Sequence, residues 1–66
     1  MIHVTKLNKN VILLNNDLIE TVEETPDTIL TLTTGKKMLV LESMEEIYQK
    51  VIEQKRKIQH NGFKTD

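Results

Sequence analysis

Thr28-Ile29-Leu30-Thr31-Leu32-Thr33-Thr34-Gly35-Lys36-Lys37-Met38-Leu39-Val40-Leu41-Glu42-Ser43-Met44-Glu45-Glu46-Ile47 reads without interruption as strand, turn, strand and helix start. Thr28 to Thr33 is β-branched and alternates apolar with polar, the period-two pattern of a half-buried strand. Thr34-Gly35 supplies a tight turn, because glycine takes positive φ without a Cβ clash. Lys37 to Leu41 then returns antiparallel. Ser43 followed by Glu46 fits a capping box: the serine oxygen takes a free amide and the glutamate reaches back to the serine N–H.

Upstream of this core segment, Thr25-Pro26-Asp27 predicts a turn, with proline presetting the first corner. Leu18 to Glu24 resumes the β pattern imperfectly, with Ile19 and Val22 out of phase for a regular strand, so a bulge or a short helical turn is expected there. Asn15-Asn16-Asp17 breaks the chain before it. Val11 to Leu14 is an apolar β-rich run, and Ile2 and Val4 alternate with His3 and Thr5. Leu7-Asn8-Lys9-Asn10 between them reads as the turn of a hairpin, since asparagine accepts left-handed or self-bonded conformations.

Downstream, Met44, Ile47, Tyr48, Val51 and Ile52 recur at helical spacing, while Glu45, Gln49, Lys50 and Glu53 fall between them. The stripe thins after Ile52, and Asn61-Gly62 is a stop signal. The pattern predicts an α+β fold: a small antiparallel β-meander of four to five strands with one C-terminal α-helix packed on one face. One domain is expected over residues 1–60, with strands between about 2 and 41, a helix over about 43–59 and a flexible tail over 61–66.

Leu39 and Leu41 occupy the opposite face of the last strand from Met38 and Val40. One helix covers one face only, so Leu39 and Leu41 are the candidate oligomer face. The chain has 66 residues and no cysteine. A chain this short hides a small share of its surface and has no disulfide to compensate, so a homo-oligomer is the expected remedy. Aromatics make up only 3% of residues, so the core must be built from Ile, Leu, Val and Met.

Function classes narrow by elimination. No stretch approaches the roughly 20 apolar residues of a membrane span, and the N-terminus lacks the order of a secretion signal, so a cytoplasmic protein is expected. The formal net charge of −1 does not describe a nucleic-acid binder. Without cysteine there is no thiol nucleophile, and Ser43, the single serine, is accounted for as a helix cap. His3 and His60 stand at opposite ends of the chain, with no metal-ligand spacing around either. Gly35 belongs to a hairpin, so no phosphate cradle exists. No enzyme activity, catalytic residue, cofactor, metal or small-molecule substrate is expected. Charge is distributed unevenly: Asp17, Glu20, Glu23, Glu24 and Asp27 form an acidic run, and Lys50, Lys55, Arg56 and Lys57 are basic positions on the helix. These four cations are the candidate contacts for an acidic partner or an anionic membrane face.

Val4-Thr5-Lys6-Leu7-Asn8, Leu14-Asn15-Asn16-Asp17-Leu18-Ile19-Glu20, Glu24-Thr25-Pro26-Asp27-Thr28 and Leu30-Thr31-Leu32-Thr33-Thr34-Gly35-Lys36-Lys37 together resemble the bacterial flagellar FlbD family, also called the swarming motility protein SwrD family. The likeness spans roughly residues 1–58. It departs at Lys9, where the family commonly has glycine. The resemblance implies a cytoplasmic, non-enzymatic accessory of the flagellum that supports motor power during swarming by contact with a stator or motor protein, at the inner face of the membrane. Residues 14–47 also resemble the second half of LytTR-type DNA-binding domains, mainly in fold. That likeness implies the alternative of a small nucleic-acid-binding regulator of flagellar genes, against which the lack of a basic strand face argues.

Overall fold

The computed structural model describes the backbone of residues 1–65 and the side chains of residues 1–56. Ile2–Thr5 (β1) and Val11–Leu14 (β2) pair antiparallel, with Ile2 opposite Leu14 and Val4 opposite Ile12. Ile19–Glu24 (β3), Thr28–Leu32 (β4) and Lys37–Val40 (β5) form a second antiparallel sheet in the order β3-β4-β5. Met44–Thr65 is the helix α1. The α+β architecture matches the sequence pattern, but the strands divide into two sheets. They are joined where Lys6 bridges to Val40 and the Leu41 N–H donates to the Thr5 carbonyl at 2.8 Å. The helix backbone runs through Asn61 and Gly62 to Thr65, past the end predicted near residue 59 and the predicted stop; the side chains beyond Arg56 lie outside the described residues.

The division between the sheets has a local cause. The Asn15 side chain accepts from the Asp17 N–H at 3.1 Å, and Asn16–Leu18 winds into a 3-10 turn that ends β2 and redirects the chain into β3. The register then shifts between Ile19 and Thr21, with Ile19 opposite Leu32 and Thr21 opposite Thr31. This irregularity absorbs one residue, which is how Ile19 and Val22 both pack on the core despite their odd spacing. Of the two alternatives expected for Leu18 to Glu24, the bulge is the one found there, and the helical turn stands just ahead of it at Asn16–Leu18.

In the first hairpin, the Asn8 side chain accepts from the Asn10 N–H at 3.0 Å and the Lys9 N–H donates to the Lys6 carbonyl at 2.8 Å. Lys9 is thereby forced to φ 73°, the left-handed region. Gly35 takes φ 90° in the second hairpin, with open space around the site of a Cβ. Thr25, Pro26 and Asp27 form the connection between β3 and β4, as predicted, and the Thr25–Pro26 peptide is cis.

Ile2, Val4, Leu14, Leu30, Leu32, Val40 and Ile47 make up the buried apolar core. They come from β1, β2, β4, β5 and α1, so neither sheet has a core of its own. The helix start is tied down at three points. Ser43 and Glu46 exchange bonds as a capping box, the Ser43 N–H to the Glu46 carboxylate at 2.8 Å and the Glu46 N–H to the Ser43 hydroxyl at 3.1 Å. The Met44 N–H donates to the Glu24 carboxylate at 2.8 Å, which joins the end of β3 to the first turn of α1 and places a negative charge at the positive end of the helix. Glu42 accepts from the Thr5 N–H at 2.9 Å and the Thr5 hydroxyl at 2.7 Å, fixing β1 to the same junction.

Two stability predictions follow from these turns and ties. Lys9→Gly relieves the left-handed strain and raises stability by about 0.5–1 kcal/mol, whereas Gly35→Ala lowers it by about 1 kcal/mol, both read as shifts in the urea midpoint. Partial burial pushes the Glu42 carboxyl up, but the Thr5 N–H and hydroxyl, its own N–H and the attraction of Lys50 outweigh it and hold it below its ordinary 4.5. A carboxyl held lower in the folded state stabilises fully above the unfolded value and loses that contribution as pH falls through the folded one. Glu42→Gln therefore costs about 1–2 kcal/mol at neutral pH and flattens the loss of stability between about pH 5 and pH 3, as urea titrations at a series of pH values will show.

Candidate docking site

Among the described residues of the helix only Ile47 is fully buried, at 1% exposure. α1 packs on β1 and β3 and so lies across the gap between the two sheets, with Ile47 pointing into it. The sequence stripe predicts Met44 and Tyr48 on the covered face too, yet they remain 45% and 58% exposed. The reason is geometric. Successive helix positions diverge by about 100°, and a helix seated on a single wedge leaves the residues flanking that wedge at the margin.

At that margin Met44, Tyr48 and Val51 face Ile19 and Val22 of β3 across an open groove of about 420 Å³. Ile47 forms part of its floor, and Asn16, Asp17 and Lys55 border it. The groove offers apolar walls, a phenol hydroxyl, and one acid and one base at the rim. The capping box and the bond from the Met44 N–H to Glu24 tie the helix start to the end of β3. Among the described residues no group of His, Asp and Glu is arranged to hold a metal ion. The arrangement suits the capture of apolar side chains from another chain.

The basic helix positions do not form one patch. Lys50 is half-buried and faces Glu42, whose charge it stabilises. Lys55 borders the groove, and Arg56 lies 3.8 Å from Glu53 in an exposed ion pair. On a helix of 3.6 residues per turn, Lys55 points about 140° from Lys50 to one side and Arg56 about 120° to the other. The Lys57 and His60 side chains fall outside the described residues. Leu39 and Leu41 are 38% and 52% exposed on the sheet face away from the helix, as the strand pattern requires. The groove itself was not legible beforehand, because Ile19 and Val22 reach it only through the register shift in β3.

The fold and its surfaces define a small α+β module with an open apolar groove and a second exposed apolar face. The chain belongs to the FlbD family of flagellar and swarming motility proteins, whose family model matches residues 1–59. No curated protein and no solved structure matches it. Among the described residues no helix is long and apolar enough to cross a membrane.

Core and groove separate by substitution. Ile47→Ala is expected to cost about 2–5 kcal/mol in denaturant unfolding, as a buried aliphatic truncation does. Tyr48→Ala is expected to change stability by about 0.5 kcal/mol or less, as an exposed position does.

Proposed function

We propose that this chain is a non-enzymatic cytoplasmic accessory of the flagellum that supports motor power during swarming, and that it does so by docking a stator or motor protein in the groove between α1 and β3. Family membership supports the flagellar role. One observation carries the choice of surface: Met44 and Tyr48 stay open along an apolar groove whose other wall is Ile19 and Val22 of β3. A tyrosine ring with one apolar side and a hydroxyl tip is the type of residue that anchors protein contacts. Of the basic helix positions, Lys55 borders the groove and is the one placed to meet an acidic residue of the partner, while Arg56 is engaged with Glu53.

The experiment is motility in a strain lacking the gene, complemented with the wild-type chain or with Tyr48→Lys, scoring flagellar number and swarm expansion together. The expected result is normal flagella with reduced swarming, both in the deletion strain and with the Tyr48→Lys chain at wild-type abundance. Full swarming by that variant removes the groove from the function. Loss of the flagella themselves transfers the protein to assembly or gene control.

A further inference from the structure

The sheet face turned away from α1 carries five exposed large apolar residues: Leu7 at 52%, Val11 at 60%, Leu13 at 61%, Leu39 at 38% and Leu41 at 52%. Val11 and Leu13 lie on β2 and Leu39 on β5, while Leu7 belongs to the first hairpin turn and Leu41 follows the end of β5. Val11 and Leu13 are opposite Thr5 and His3 in the first hairpin, and Leu39 is opposite Ile29 in the second sheet. The bridge from Lys6 to Val40 and the bond from the Leu41 N–H to Thr5 set the two groups side by side, so they form one surface. Isolated exposed aliphatics need no explanation, but a contiguous set of this kind marks a contact.

Charge decides which contact. The first hairpin tip carries Lys6 and Lys9, and the second tip leads into Lys36 and Lys37, all four exposed. The bridge brings the two tips together, and Lys6, Leu7, Lys36, Lys37 and Leu39 line a common shallow concavity. Lys6, Lys36 and Lys37, separated by up to about thirty positions in sequence, thus border one end of the apolar face, and Lys9 lies on the adjoining hairpin tip. The acids are elsewhere. Asp17, Glu20, Glu23, Glu24 and Asp27 lie on the 3-10 turn, on β3 and on its turn, across β4 from β5. Glu42, the nearest acid along the chain to β5, is occupied by Thr5 and Lys50.

The geometry points to this face as a docking surface for an anionic lipid bilayer, with Leu7, Val11, Leu13, Leu39 and Leu41 entering the headgroup region and Lys6, Lys9, Lys36 and Lys37 pairing with lipid phosphates. Interfacial binding needs apolar area and cationic charge on the same side, and neither is sufficient alone. A second copy of the chain, the occupant expected for Leu39 and Leu41 from strand pattern, would cover the apolar residues but brings no acidic cluster on that face to meet the lysines, because the acidic run lies along β3. The lipid surface supplies the opposite charge. The face lies on the other side of the sheets from the α1 groove, so the inference stands whether or not the groove holds a partner.

The test is flotation of the full chain with vesicles of phosphatidylcholine alone or mixed with phosphatidylglycerol, at low and high salt. Binding is expected only to the anionic vesicles. It should fall steeply between about 0.1 and 1 M salt, as the screening length shrinks from about 10 to about 3 Å. Each of Lys6→Gln, Lys9→Gln, Lys36→Gln and Lys37→Gln should weaken partition roughly fivefold. Leu39→Ser with Leu41→Ser should abolish it, with circular dichroism reporting the fold. Should the doubly substituted chain fail to fold, the lysine variants at exposed positions carry the test. Absence of binding at low salt, equal binding to neutral vesicles, or lysine variants that bind as tightly as wild type each overturns the inference. So does a stable dimer in sedimentation velocity that the Leu39 and Leu41 substitutions convert to monomer, since that assigns the face to a second copy.

Discussion

Burial of Ile47 in the gap between the two sheets is the constraint on which the rest of the structure depends. The β1-β2 hairpin cannot cover its own apolar side, and the β3-β4-β5 sheet has the same deficit. The helix lies across both and closes a shared core of seven buried apolar residues. A two-stranded hairpin is marginal by itself, so the first sheet persists because the helix and the Lys6–Val40 bridge hold it to the second. Three polar ties aim the wedge: the Ser43–Glu46 capping box, Glu24 on the Met44 N–H and Glu42 on Thr5. Each comes from a different part of the chain, and all converge on the four residues at the start of α1.

Seating the helix on a single buried residue has a consequence for function. Neighbours on the apolar stripe cannot all reach the core, and Met44 and Tyr48 are left along the open side facing β3. The groove therefore follows directly from how little of the helix the small sheets can hold. In a larger domain the same stripe would be covered by a further element. Here it stays free for another molecule, which is why the groove is a better candidate for partner contact than the ion-paired end of the helix.

Tertiary structure also redistributes the charge. Lys50, Lys55 and Arg56 are close in sequence and diverge in space, because a helix turns each residue about 100° from the last. Lys6 is far in sequence from Lys36 and Lys37, yet the three line one concavity, because the bridge from Lys6 to Val40 brings the two hairpin tips together. The acidic run stays along β3. A near-neutral chain is thus polarised, with an acidic edge and a basic end, and the groove and the lysine-bordered apolar face lie on opposite sides of the sheets, where both can be occupied at once.

Local patterns were legible in the sequence by themselves: the alternation of Thr28 to Leu32, the turn at Gly35, the capping box at Ser43 and the two-sided apolar character of Leu39 and Leu41. Each depends on interactions within a few residues, which sequence spacing encodes directly. Membership of a flagellar family was visible for the same reason, in contiguous motifs. The split into two sheets, the exposure of Met44 and Tyr48, the groove wall built by Ile19 and Val22 and the meeting of Lys6 with Lys36 and Lys37 depended on contacts between distant segments. Those contacts are set by the register shift in β3, by the bridge from Lys6 to Val40 and by the single cavity available to Ile47. No local spacing records them, so only the folded chain decides them.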